Sequence, residues 1–252
     1  MLAVFDKSVG KAPDALHSPH TKSVGCLCDH FASVHPGAIT VNLGPSGRLA
    51  YSLDRQNPLH PRYPLTSSTA LLFFLLFFSS LSASFPPRSV LQISYGLNKT
   101  ANEVIIVIEA YRTLRDRGPY PGDQVVRDLN GKFAFILYDN SAKMTFVAAD
   151  ADRSVPFYWG SDSEGNLVFS DDVEAVKKGC GKSFAPFPKG CFFTTCGGLR
   201  SYEHPFNELK PVPRVDSSGQ VCGANFKVDS ESKKESSGMP RVGSAANWSS
   251  HY

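Results

Sequence analysis

Two groups of residues in this 252-residue chain carry side chains able to do chemistry, and their spacing limits what that chemistry could be. In the first, Cys26-Leu27-Cys28-Asp29-His30 lies near His17, His20 and His35, a collection of thiols and imidazoles that could ligate a metal. Zinc sites pair two well-spaced ligand couples, and a Cys-x-Cys with no second pair elsewhere does not make one. Neither a metal nor a cofactor is expected. The second group is Cys180, Cys191, Cys196 and Cys222. A cysteine becomes a nucleophile when an adjacent base takes its proton. The only histidine near any of the four in sequence is His204, eight residues after Cys196. Burial as structural thiols is their expected state.

The elements that must position such residues can be read from the pattern. Leu2-Ala3-Val4-Phe5 reads as a short buried strand, and Lys7 to Pro36 as loop with one helix. Ile39, Val41 and Leu43 alternate with smaller or polar residues, stop at Gly44-Pro45-Ser46-Gly47 and restart at "RLAYSL", a hairpin signal. Thr100-Ala101-Asn102-Glu103 has the form of a capping box, in which hydroxyl and carboxylate each satisfy an orphan amide at a helix start. Val104, Ile105, Ile108, Tyr111 and Leu114 follow at helical spacing and should form one apolar stripe ending before Gly118-Pro119. "KFAFILYD" (132–139) is apolar on both alternating faces, as a strand covered on both sides requires. "MTFVAAD", "VPFYWG" and "LVFS" continue it as hairpins, Asp171 should cap a helix over "DVEAVKK" that Gly179 ends, and "KGCFFTT" is a further strand. From Asp229 on, the chain is polar and rich in serine, and it is expected to be disordered. Doubly covered strands with a few amphipathic helices call for two sheets with helices outside them. The expected class is therefore α+β, arranged as a four-layer αββα sandwich.

One stretch does not fit. Ala70 to Phe78, "ALLFFLLFF", is the most apolar run of the chain. A spanning helix needs about 20 mainly apolar residues, and Pro86-Pro87 forbids regular helix soon after this run. A secretory core would lie close to a chain's start. A membrane is therefore not expected as a partner. Nor is nucleic acid, since 26 basic and 23 acidic residues, a net charge of +3, are mixed along the chain without a basic stripe. Six cysteines without a secretory segment read as reduced thiols, so the cytoplasm is the expected location, with the nucleus as a second.

At "GKFAFILYD", "AADADRSVPFYWGSDSEGNLVFSDDVEAV" and "FPKGCFF" the chain resembles the glutaminase domain of class II amidotransferases of the asparagine synthetase type, members of the N-terminal-nucleophile fold. It resembles still more a plant family of stem-specific, aluminium-induced proteins with YGL and LRDR motifs, here Tyr95-Gly96-Leu97 and Leu114-Arg115-Asp116-Arg117. The resemblance implies one domain over 1–228. Within it 63–94 is an atypical apolar replacement of the kind that retained intron sequence or an altered gene model would give, and 229–252 is a tail.

The resemblance also implies a site. In those enzymes a cysteine after the initiator methionine is the nucleophile, and its own α-amine, with a pKa near 8, is the base. The matching position here is Leu2, so no catalytic residue is expected. Arg48 matches the arginine beside the substrate carboxylate, a role suited to a two-pronged guanidinium. The aspartate that holds the substrate amine is replaced by Ala101, and the Asn-Gly turn of the oxyanion hole has no counterpart between Leu65 and Ser94. The function implied is that of a catalytically silent amidotransferase-like domain, a stress- or hormone-responsive regulatory or binding protein. Its partner would be a small amino acid or a protein, and self-association is left open. The alternative is an active amidohydrolase with a relocated cysteine.

Overall fold

The computed structural model describes residues 1–16, 27–52, 71–79, 107–112, 122–127, 129, 131–215, 217 and 219–233, with 71–79 and 230–233 described by backbone. Two sheets form its body. The first has the order β2-β3-β1-β8-β7-β9, from Ile39–Asn42, Gly47–Tyr51, Leu2–Phe5, Leu167–Ser170, Tyr158–Ser161 and Phe184–Pro186. The second has the order β11-β10-β6-β5-β4, from Gly198–Ser201, Cys191–Thr194, Met144–Ala149, Lys132–Asp139 and Leu71–Ser79. All neighbours within them pair antiparallel. The helices are α1 (Leu27–Val34), α2 (107–112), α3 (Gly122–Arg127) and α4 (Val173–Cys180).

Alternation along the strands sorts the side chains into layers. On β5, Ala134, Ile136 and Tyr138 join Phe5, Leu49, Trp159, Phe169 and Phe193 in one apolar core fed by both sheets. Phe133, Phe135 and Leu137 point the other way and pack with Val107, Tyr111, Val125 and Val126 of α2 and α3. On the far side of the first sheet, Leu2, Ala50 and Val168 are covered by Leu27, Phe31, Val176 and Cys180 of α1 and α4. The order is thus helices, sheet, sheet, helices, the αββα arrangement that the doubly apolar strands require. The inter-sheet core is aromatic. Trp159 meets Phe187 and Phe193 edge-on at 5.3 and 6.4 Å between ring centroids, and each such pair adds about 0.5–1.5 kcal/mol beyond the area it buries.

Several expectations are corrected at their edges. Asp172, not Asp171, caps α4, its carboxylate accepting from the Glu174 amide at 2.9 Å. Gly181, at φ 55°, closes the helix, and Gly179 lies within it where a Cβ would meet Leu27 at 2.3 Å. A ribbon of β12 (Asn207–Val215) and β13 (Val221–Lys233) was not anticipated. It is tied to the first sheet by Phe226 on Trp159 and by Arg214, whose guanidinium lies 4.2 Å from the Phe184 ring centroid. Because β13 runs to Lys233, the first residues of the expected disordered tail, 229–233, are strand. The apolar run supplies β4, which pairs with β5 through a register irregularity between Leu75 and Phe77. The capping box at 100–103, the Gly118-Pro119 stop and the rest of 63–94 lie outside the described residues, as does the tail beyond 233.

Glycine 160 shows how tightly α4 is seated. A Cβ there would fall 2.6 Å from the Cys180 Sγ and 2.8 Å from the Ser183 carbonyl oxygen, and a backbone oxygen held by the Ser161 amide cannot step aside. Gly160→Ala is expected to cost about 1–3 kcal/mol of stability. Urea melts of the two proteins check this, and an unchanged midpoint would contradict it.

Candidate functional site

The site implied at the start of β1 is built by pairing on both sides. Leu2 stands opposite Ala50 on β3 and Ser170 on β8, which places Met1 beside Asp171, the residue after β8 ends. There the α-ammonium of Met1 donates to Asp171 Oδ1 at 2.5 Å, and the Ser170 hydroxyl donates to the Met1 carbonyl at 2.5 Å. The nitrogen at the nucleophile's position, that of Leu2, lies in a peptide bond with Met1, and the chain's α-ammonium, one residue earlier, is engaged by a carboxylate. Met1 packs into the inter-sheet core, and Leu2, 1% exposed, packs outward beneath α1 and α4. Leu2 also floors a cleft of about 490 Å³ between those helices.

Arg48 opens elsewhere. It stands opposite Val4 on β1, so it shares a sheet face with Leu2 but lies two residues along the strand, about 7 Å away. It lines a second cavity, of about 410 Å³, together with Asp6, Cys28, Gly47, Asp162, Glu164 and Asn166. Two turns meet there. The Asp6 amide donates to the Ser46 carbonyl at the β2–β3 connection, and the Lys7 amide donates to Asn166 Oδ1 in the β7–β8 turn. Asp162 braces that turn, accepting from the Glu164 amide at 2.9 Å and from the Asn166 amide at 2.8 Å. Hydrogen bonds from the Ser8 hydroxyl and amide hold the Asp6 carboxyl below its ordinary range. An exposed guanidinium beside three carboxyl groups complements a small zwitterion, with the fork for a carboxylate and the acids for an ammonium. The structure thus does not bring the Leu2 position and Arg48 into one cavity. Ala101 and Asn102 lie outside the described residues.

Of the four cysteines expected to be buried, Cys180, Cys191 and Cys222 are, and Cys196 is not, because it sits in a surface turn. Burial pushes the Cys180 thiol well up, and nearby Asp162 adds to the rise. Cys191 is pushed up to about 12, mainly by burial and further by Glu203, against the opposing effect of a hydrogen bond with Ser201. Cys222 is buried, and exposed Cys196 sits in the turn before β11, whereas His204 follows that strand's far end. Sequence reading missed Asp171 as the partner of the α-amine, since two adjacent aspartates compete for the cap. It also missed the acids around Arg48, which come from the end of β1 and a turn some 160 residues on.

Sandwich and strand order together are those of an α+β layered fold, and similarity to asparagine synthetases assigns it the N-terminal-nucleophile type. The chain belongs to the family described as aluminium-induced protein, which it matches over residues 2–228. It is similar to the stem-specific protein TSJT1 of Nicotiana tabacum, 36% identical over 155 residues, which are 59% of this chain and 99% of that one. A probable glutamine-hydrolysing asparagine synthetase of Dictyostelium discoideum is 39% identical over 74 residues, 29% of this chain and 13% of the enzyme. Asparagine synthetase 2 of Oryza sativa subsp. japonica is 36% identical over 93 residues, 36% of this chain and 16% of the enzyme. The chain spans less than a fifth of these synthetases, within their glutaminase part.

Thiol burial has a consequence for pH. A cysteine whose folded pKa lies above its unfolded value near 9 holds its proton in the native state after the unfolded chain has lost it. Stability therefore falls as pH rises from about 9 toward 12. At pH 8 a disulfide reagent should label Cys196 in the native protein and reach Cys180 and Cys191 only after unfolding. Melts across pH 8–11 and mass-mapped labelling check both, and rapid native labelling of Cys191 would contradict the assignment.

Proposed function

We propose that this chain is a catalytically silent glutaminase-like domain, working in the plant cytoplasm, with the nucleus as a second location, as a stress-responsive regulatory or binding protein. The observation that carries this reading is Leu2. The side chain at the nucleophile's position is a hydrocarbon packed under two helices, and the adjoining α-ammonium is held by Asp171. In support, Ala101 offers no carboxylate to a substrate amine, and the segment before it has no Asn-Gly turn to donate to an oxyanion. A relocated nucleophile is disfavoured at Cys180 and Cys191, because a thiol held protonated is a poor nucleophile. The family description concerns induction by aluminium and names no reaction. Among the described residues no helix is long and apolar enough to cross a membrane.

The purified chain is expected to release no ammonia from glutamine above buffer, and Leu2→Cys alone is expected not to restore release, since a nucleophile without its oxyanion donors loses a factor of about 10²–10³ in turnover. Turnover by the unmodified protein that vanished on mutating one cysteine would overturn this reading in favour of the relocated nucleophile.

The Arg48 cavity gives the silent domain something to bind. A free α-amino acid would set its carboxylate on Arg48 and its ammonium toward Asp6, Asp162 or Glu164. Calorimetry with glutamine, glutamate, asparagine and aspartate should show binding weaker than about 0.1 mM, given an exposed site with two charged contacts. It should be lost in Arg48→Ala, and no heat with any of the four at millimolar ligand would refute the site.

A further inference from the structure

The cleft between α1 and α4 adjoins the Arg48 cavity at Leu27, which lines both, and has its own chemistry. Its floor is hydrocarbon, with Leu2, Leu27 and Phe31 each under 10% exposed. Val34 on its rim is 55% exposed, an apolar side chain left in water beside an apolar floor. The rest of the rim is polar, with Lys177, Lys178, His30 and His35 beside Asp172 and Glu174. Lys178 on α4 and His30 on α1 contact each other across the mouth, and the His35 ring lies against Phe31 with 4.3 Å between centroids. The acids at the same rim are already engaged. Glu174 pairs with Lys177 at 2.7 Å, and Asp172 spends its carboxylate on the Glu174 amide as the cap of α4. Lys178 and His30, from two helices, therefore hold one another across the mouth, above a floor that water wets poorly.

We propose that this cleft binds a small carboxylate carried on an apolar body, the carboxylate accepting from the Lys178 ammonium that His30 holds across the mouth, and the hydrocarbon lying on Leu2, Leu27, Phe31 and Val34. A lysine ammonium has three N–H donors, so one given to His30 leaves two for the oxygens of a carboxylate. The apolar body covers the surface that a bare anion would leave wet. At about 490 Å³ the cleft lies in the size range of small-molecule sites. Bound there, the ligand ties α1 to α4 and thereby fixes the outer layer over Leu2. This reading does not depend on the Arg48 cavity or on the absence of catalysis.

The full chain is titrated calorimetrically with octanoate and, in parallel, with 1-octanol, which has the same chain length and no charge. Octanoate is expected to bind, and octanol to bind at least about tenfold more weakly, the difference made by the Lys178 ammonium. Lys178→Glu and Val34→Asp, both at exposed positions, should each weaken octanoate about tenfold or more while leaving the melting temperature within the range of surface substitutions. Arg48→Ala should leave octanoate binding unchanged. The proposal is overturned by no octanoate binding at about 1 mM, by octanol binding as well as octanoate, or by octanoate affinity that survives Lys178→Glu. It is equally overturned by octanoate binding that is lost in Arg48→Ala, since the anion would then sit in the other cavity. Failure of amino acids to bind at Arg48, with octanoate still bound, would sink that site alone.

Discussion

Strand β1 is the constraint on which the rest of this structure depends. It has four residues, hydrogen-bonds to β3 on one side and β8 on the other, and is covered on both faces. Ala3 and Phe5 must therefore serve the inter-sheet core while Leu2 serves the helical layer. A short strand held so completely has one phase. Shifting it by one residue would send Phe5 outward and Leu2 inward, and every side chain would meet the wrong layer. Asp171, immediately after β8, fixes that phase at its end by holding the Met1 ammonium, and the Ser170 hydroxyl holds the Met1 carbonyl. The phase also decides the site. It sends the Leu2 side chain under α1 and α4 and leaves Arg48 to open at the other end of the same face.

The layers were legible in the sequence wherever a strand is apolar on both alternating faces. In "KFAFILYD" the two interleaved sets go to two different cores, and no single-sided sheet could accept both. The hairpins were legible for the same reason together with their turn residues. Helix α4 was found but misplaced by one residue at its start, because Asp171 and Asp172 are equally good caps in isolation and only the Met1 ammonium, distant in sequence, distinguishes them. The ribbon was not legible. Pro211 and Pro213 lie inside β12, where proline argues against a strand, and they are tolerated in a two-stranded ribbon whose outer edge needs no further donor. The run at 71–79 lacks any alternation, so nothing in it specifies a register, and its pairing with β5 carries an irregularity where a patterned strand would run evenly.

The candidate site was legible in its parts and not in their arrangement. Arg48 stood out because the resemblance sets it where an arginine is expected beside a substrate carboxylate, and Leu2 because the resemblance sets it where a cysteine is expected. Their separation into two cavities follows from pairing, which a linear motif does not contain. The acids beside Arg48 come from the end of β1 and from the turn between β7 and β8. That turn reads in sequence as an ordinary hairpin connection, and in the structure Asp162 and Asn166 do brace it. A residue that holds a turn and also lines a cavity gives only the first signal locally.

Position 2 shows why structure and chemistry compete in such a fold. Burying a leucine there removes its side chain from water, worth about 1.5–3 kcal/mol, and it supports Leu27, Phe31 and Val176 from below. A nucleophile at the same place would have to meet a substrate, so it could not be sealed beneath a helix, and its own nitrogen would have to be a free amine, whereas the Leu2 nitrogen is in a peptide bond with Met1, whose ammonium Asp171 holds. Each requirement of the reaction removes a contact that the sandwich uses. The interactions that hold β1 in place are the same ones that leave this position without the means to attack a carbonyl.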